Sequence, residues 1–158
     1  MKVYKFGGAS VRNADGVRNL LKIIGDERDL FIVVSAMGKT TNALERVFAG
    51  LQRGDRTGAL EEVAALRAYH AAIVDDLWHG PTQLERVEAF FAELEQTAAE
   101  GVYREEDAEL WYDRIVAFGE LISTSIISEY LAYAGVPNRW VDMRRALVTE
   151  QRHKDAEV

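Results

Sequence analysis

The sequence predicts an α/β fold: a small, mainly parallel sheet set among many helices. Three observations predict it. The short apolar segment Val3 to Phe6 runs straight into Gly7-Gly8, as a strand runs into a turn. The run Leu30 to Val34 is continuously apolar, rich in β-branched residues and bounded by polar turns. That pattern suits a strand buried on both faces. Between and after these segments the apolar spacing is helical, and strands separated by helices imply parallel pairing through crossover connections.

Each element follows in order. After Asn13, the residues Val17, Leu20, Leu21 and Ile24 recur at helical spacing and Gly25 is a stop. Ser35 to Asn42 is a small, polar loop, and Ala43 to Leu51 is the next helix, closing near Gly54. Leu60 to Trp78 is helical, with Val63, Leu66, Ala68, Tyr69 and Ile73 as its apolar positions. Pro81 stands just before a helix over Thr82 to Ala99, where proline is best tolerated. Arg104 to Ala134 reads as one long helix, or two broken at Gly119, ending at Gly135 with Pro137 beyond. Arg139 to Val141 is a third strand candidate and Ala146 to Thr149 a fourth. Three or four strands make a thin sheet, and its raw edge calls for a partner or further sequence to cover it.

Composition narrows the function. The chain has 158 residues, enough for a single domain with its own core. It contains no cysteine, which removes disulfides, thiolate nucleophiles and cysteine-based zinc sites together. Its three histidines, His70, His79 and His153, are far apart in sequence, so no metal site is expected from them. A net charge of −7 argues against nucleic acid or an anionic membrane as the main partner. No apolar run approaches the roughly 20 residues of a membrane span. The first residues lack the apolar core of a signal peptide, so a cytoplasmic protein is expected.

Three segments could carry chemistry. The first is Lys5-Phe6-Gly7-Gly8-Ala9-Ser10. A strand that delivers a lysine and then two glycines suits a phosphate cradle, because glycine lets several backbone N–H groups approach one ligand. Lysine adds a point charge for a phosphoryl group. A surface lysine before a plain Gly-Gly turn is the simpler alternative. Gly38-Lys39-Thr40 shares its letters with the end of a Walker A loop, but Val33 stands where that motif needs its first glycine. The second segment is Ser35 to Asn42, whose hydroxyls at Ser35, Thr40 and Thr41 could meet a polar substrate. Both loops follow strands, and ligands of open parallel sheets collect at that edge. Thr41 and Asn42 could equally cap the following helix. The third is Phe118-Gly119-Glu120-Leu121-Ile122-Ser123. A carboxylate in so apolar a stretch is costly unless paired, so Glu120 is a candidate for holding a cation such as an amine. A surface glutamate at a helix start is the alternative. His70, the tryptophans and the Glu/Arg-rich stretches read as structural.

The ordered set of motifs resembles the aspartate kinases. That family opens with Lys-Phe-Gly-Gly-Thr-Ser-Val, matched here by Lys5 to Val11 with Ala9 in place of threonine. A strand ending Val-Val-Ser-Ala, then a glycine and Thr-Asn, corresponds to Val33 to Asn42. Gly-Glu-x-x-Ser corresponds to Gly119 to Ser123, and Asp-x-Arg to Asp142-Met143-Arg144. The resemblance implies the amino acid kinase fold, a three-layer α/β/α sandwich with a mainly parallel sheet, here its helix-rich N-terminal half.

It also implies a reaction: transfer of phosphate from ATP, with Mg2+, to the β-carboxylate of L-aspartate, the first step of lysine, threonine and methionine biosynthesis. By matching position, Lys5 would stabilise the transferring phosphoryl group, and Gly7, Gly8 and Ser10 would form the phosphate site. Ser35 and Thr41 would contact aspartate, and Glu120 would hold its α-ammonium. The Gly-Arg-Gly-Gly-Ser-Asp type motif, the nucleotide-binding lobe and the ACT regulatory domains of such kinases have no counterpart in residues 1–158. The expectation is therefore an amino-acid-binding lobe with little kinase activity of its own, able to form a homodimer through its sheet edge. Acetylglutamate, glutamate 5- and uridylate kinases are the neighbouring alternatives, and Glu120 argues against an N-acetylated substrate. A non-catalytic half-domain that binds an amino acid or a partner subunit is the alternative of a different class.

Overall fold

The structure, a computed structural model, describes residues 1–146. β1 (Lys2–Phe6) and β2 (Leu30–Val34) pair in parallel, with Lys2 opposite Leu30 and Phe6 opposite Val34. The connection between them is α1 (Ala14–Ile24). Asn13 sets the start of α1: its side-chain oxygen accepts the Gly16 N–H at 3.0 Å. Val17, Leu20 and Ile24 of α1 are buried at the spacing the sequence predicts, and Gly25 ends the helix.

The remaining helices form the bulk of the chain. They are α2 (Thr40–Gln52), α3 (Arg56–Trp78), α4 (Glu85–Glu100), α5 (Ala108–Val116) and α6 (Phe118–Tyr133). Asp55 caps α3 by accepting the Gly58 N–H at 2.9 Å. α3 packs against α1, α2 and α4, while α6 packs against α4, α2 and β2. Phe91, Leu94, Ile115, Ile122 and Ile126 are fully buried where these helices meet. Side chains of this size contribute about 1.5–3 kcal/mol each on burial. The architecture is thus α/β and helix-rich, with a small parallel sheet.

Three sequence expectations need correction. The run Leu30 to Val34 is not buried on both faces. Tyr4, Phe6, Ile32 and Val34 face the core, whereas Val3, Phe31 and Val33 stay 60%, 36% and 41% exposed on the opposite face. No helix among the described residues covers that side, so a run apolar throughout still alternates in burial. Arg139 to Val141 is not a strand, and the sheet has two strands among the described residues. Trp140 instead folds back onto the helices. Its indole N–H donates to Thr124 Oγ1 at 2.9 Å, and the Arg86 guanidinium lies 4.8 Å from its ring centre. The break between α5 and α6 falls at Ala117 rather than Gly119, which lies inside the first turn of α6. The proposed fourth strand, Ala146 to Thr149, lies outside the described residues except for Ala146.

Candidate functional site

Parallel pairing brings the ends of β1 and β2 to one edge of the sheet, and both loops singled out in the sequence leave from it. The ladder extends one step further, since the Ser35 N–H donates to the Phe6 carbonyl at 3.0 Å. The loops then bond directly: the Gly38 N–H donates to the Gly8 carbonyl at 3.0 Å. The approach is so close that a Cβ on Gly8 would lie 2.3 Å from the Ala36 carbonyl oxygen. Only glycine fits there. Gly7 differs, because a Cβ there would meet nothing within 4 Å. Its backbone faces open space, as a phosphate cradle requires.

The start of α6 clamps the second loop from the other side. Glu120 is exposed, not buried among the apolar residues around it, and its Oε1 accepts the Ala36 N–H at 3.2 Å. The apolar neighbours point into the core while Glu120 stands on the remaining face of the helix. Ser123, buried three residues on, donates its hydroxyl to the Ser35 carbonyl at 3.1 Å. Gly119 makes this docking possible, since a Cβ there would sit 2.7 Å from the Ala36 Cβ.

Inside the loop, Ala36 and Met37 are buried and Ser35 is half-buried. Thr40 is buried, and its hydroxyl donates to the Met37 carbonyl at 2.6 Å. α2 begins at Thr40 after Lys39, with no side-chain cap. Thr41 and Asn42 are therefore not its caps. Thr41 is half-buried in the first turn.

Lys5 lies on the exposed face of β1, opposite Val33, two residues before Gly7. It has no ion-pair partner among the described residues. Ser10 is exposed at the end of the first turn, where its N–H donates to the Gly7 carbonyl at 2.9 Å. The structure thus joins the Gly7-Gly8 turn, the Ser35–Thr41 loop and Glu120 through hydrogen bonds. Lys5, Ser10 and Thr41 are placed at the same edge by their elements alone.

Two supporting residues on α3 were not assigned to the site from the sequence. Tyr69 donates its hydroxyl to the Arg12 carbonyl and packs under Gly38. His70 is buried, with Nδ1 at 2.8 Å from the Leu66 carbonyl and Nε2 at 3.5 Å from Thr40 Oγ1. A carbonyl only accepts, so Nδ1 carries the proton, and because the Thr40 hydroxyl gives its one proton to Met37, the approach of Nε2 is a packing contact rather than a hydrogen bond. Burial pushes the His70 pKa below the usual histidine range, with the Leu66 bond opposing it. Adjacent residues of one helix therefore hold both loops from beneath, a pairing that helical spacing alone does not announce.

The model of the amino acid kinase family matches residues 1–158. The chain belongs to the amino acid kinase family. Among curated relatives, this family member is 32% identical to the aspartokinase of Chlamydia trachomatis serovar D, over 95% of its own length and 32% of the relative's. It is 30% identical to the lysine-sensitive aspartokinase 3 of Escherichia coli, over 98% of its length and 34% of that protein's. The solved structure of E. coli aspartokinase III with aspartate and ADP superimposes with a TM-score of 0.79 at 30% identity. That match covers 99% of this chain and 34% of the other. The chain spans about a third of the length of these relatives.

Proposed function

We propose that this chain supplies the amino-acid-binding lobe of an aspartate kinase, which converts ATP and L-aspartate to ADP and 4-phospho-L-aspartate. The observation that supports this most is the exposed Glu120 carboxylate bonded to Ala36 in the loop between Ser35 and Thr41. It offers an amino acid a fixed anion for its ammonium beside hydroxyls for its carboxylates. The similar structure of aspartokinase III was solved with aspartate and ADP.

In this reading Lys5 stabilises charge on the phosphoryl group in flight, and the open backbone at Gly7, with Gly8 and Ser10, receives its oxygens. Ser35 and Thr41 hold aspartate, and Glu120 binds its α-ammonium. Bringing the β-carboxylate and the phosphoryl group together is most of the catalysis, since phosphoryl transfer needs positioning and charge stabilisation rather than a covalent nucleophile. Among the described residues no group of three acidic or histidine side chains gathers around a metal position. Mg2+ would enter with the phosphates of ATP. The nucleotide-binding lobe and ACT domains belong to sequence outside 1–158, and the isolated chain has little kinase activity. The uncovered row Val3, Phe31 and Val33 suits contact with that remaining sequence or with a second copy in a homodimer. The setting is lysine, threonine and methionine biosynthesis in the cytoplasm.

The test is aspartate-dependent ADP release by the protein of the full reading frame, with N-acetylglutamate, glutamate and UMP as competing acceptors. Turnover of aspartate alone supports the reading. Turnover of another acceptor without aspartate overturns it. Calorimetry of the 158-residue chain with aspartate, without ATP, reports whether this lobe binds the amino acid.

A further inference from the structure

A cavity lies between the Ser35–Thr41 loop, the first half of α2 and α3. It is an open groove of about 510 Å³. Arg12, Lys39, Arg46, Glu62, Leu66 and Tyr69 are among its walls. None of the seven residues assigned above to phosphate or aspartate lines it.

Its charge is out of keeping with the molecule. The chain carries a net charge of −7, yet three cationic side chains converge here. Arg46 is neutralised, because Glu62 receives its Nε and Nη2 at 2.7 and 2.9 Å. That guanidinium holds the Glu62 carboxyl below the usual carboxylate range. Glu62 is also the one carboxylate among the lining residues. Arg12 and Lys39 are exposed and have no carboxylate partner among the described residues. The first turn of α2, a helix of 13 residues, holds no acidic residue that would offset these two cations. Ala43, Leu66 and the Tyr69 ring give the groove an apolar floor that lowers the local dielectric.

We propose that this groove is a binding site for a small phosphate-type dianion, held by Arg12 and Lys39. It is separate from the phosphoryl site proposed at Gly7-Gly8, and it stands whether or not the kinase reading does. A ligand there touches Gly38, Lys39 and Thr40, which belong to the loop that also carries Ser35 and Thr41. Its occupancy therefore bears on the aspartate side through that shared loop.

The experiment is amide NMR of the 158-residue chain titrated with inorganic phosphate, against sodium chloride at matched ionic strength. Saturable shifts at Gly38, Lys39 and Thr40, with a Kd of about 1 mM or tighter, are expected. The double variant R12A/K39A, both exposed positions, weakens binding at least about tenfold while its spectrum stays folded. E62Q releases Arg46 and tightens binding severalfold. Absence of saturation, shifts unchanged in R12A/K39A, or shifts confined to Gly7 and Gly8 would each overturn the proposal.

Discussion

The Glu120 carboxylate accepts the backbone N–H of Ala36 at 3.2 Å across 84 residues of sequence. This one bond ties α6 to the loop after β2, and it fixes the acid beside that loop rather than letting it wander in solvent. Its geometry also separates two roles. A glutamine at 120 can still accept the Ala36 N–H, but it carries no charge for an ammonium. E120Q in the full-length protein should therefore raise the KM for aspartate about 10- to 100-fold, the loss of a charge-assisted bond of about 1.5–3 kcal/mol. Its thermal midpoint should stay near that of the parent. Steady-state kinetics and thermal unfolding check both halves, and an unchanged KM removes Glu120 from the substrate site.

Gly7 and Gly8 are adjacent, yet they should respond oppositely to alanine. A methyl at Gly8 meets the Ala36 carbonyl oxygen at 2.3 Å, a backbone atom that cannot swing aside as a side chain can. Gly8→Ala must push the two loops apart, at about 1–3 kcal/mol by the usual cost of overpacking. Gly7→Ala meets nothing within 4 Å and should be close to neutral for stability. Urea unfolding of the two variants distinguishes them. If Gly7→Ala nevertheless lowers phosphoryl transfer in the full-length protein, the open backbone there is where phosphate approaches.

How legible this arrangement was depends on the range of the interaction that sets it. β1, α1 and the start of the second loop follow from local pattern: apolar segment, helical spacing, glycine stop. The phosphate and substrate candidates could be named because strand–loop edges of parallel sheets share a side. What local pattern could not give is which face of a uniformly apolar strand the helices cover. Leu30 to Val34 looks the same whether one face or two are buried, and Phe31 and Val33 turned out exposed. Arg139 to Val141 has strand-like residues, but Trp140 is held by Arg86 and Thr124 rather than by a ladder. The sequence left Glu120 either paired within an apolar stretch or at the surface of a helix start, and the structure places it exposed in the first turn of α6.

Lys5 is exposed on β1 and makes no ion pair among the described residues, so it contributes little to the fold. Removing it should cost chemistry and not stability. Lys5→Ala in the full-length protein should lower kcat by about a thousandfold, as removal of one electrostatic donor to a transition state does. The KM for aspartate and the thermal midpoint should change little. A fall in kcat below tenfold would reject the role assigned to Lys5.

His70 makes the stability of this lobe depend on pH, and the sign follows from its burial. The folded chain keeps the imidazole neutral because burial lowers its pKa. The unfolded chain releases it to water, where it titrates at about 6.5. Below that pH the unfolded state binds a proton that the folded state refuses, so the folded state loses ground. Stability should fall as pH drops through about 6.5, by up to about 1.4 kcal/mol per pH unit, until the folded pKa is reached. Above that pH the residue contributes no slope. Because carboxylates titrate as well at the acid end, the informative quantity is the difference between the parent and His70→Gln, which cannot titrate. Urea unfolding from pH 5 to 8 should show the parent losing stability more steeply than the variant below neutrality. Parallel curves would mean that the imidazole takes its proton in the folded state as readily as in the unfolded one.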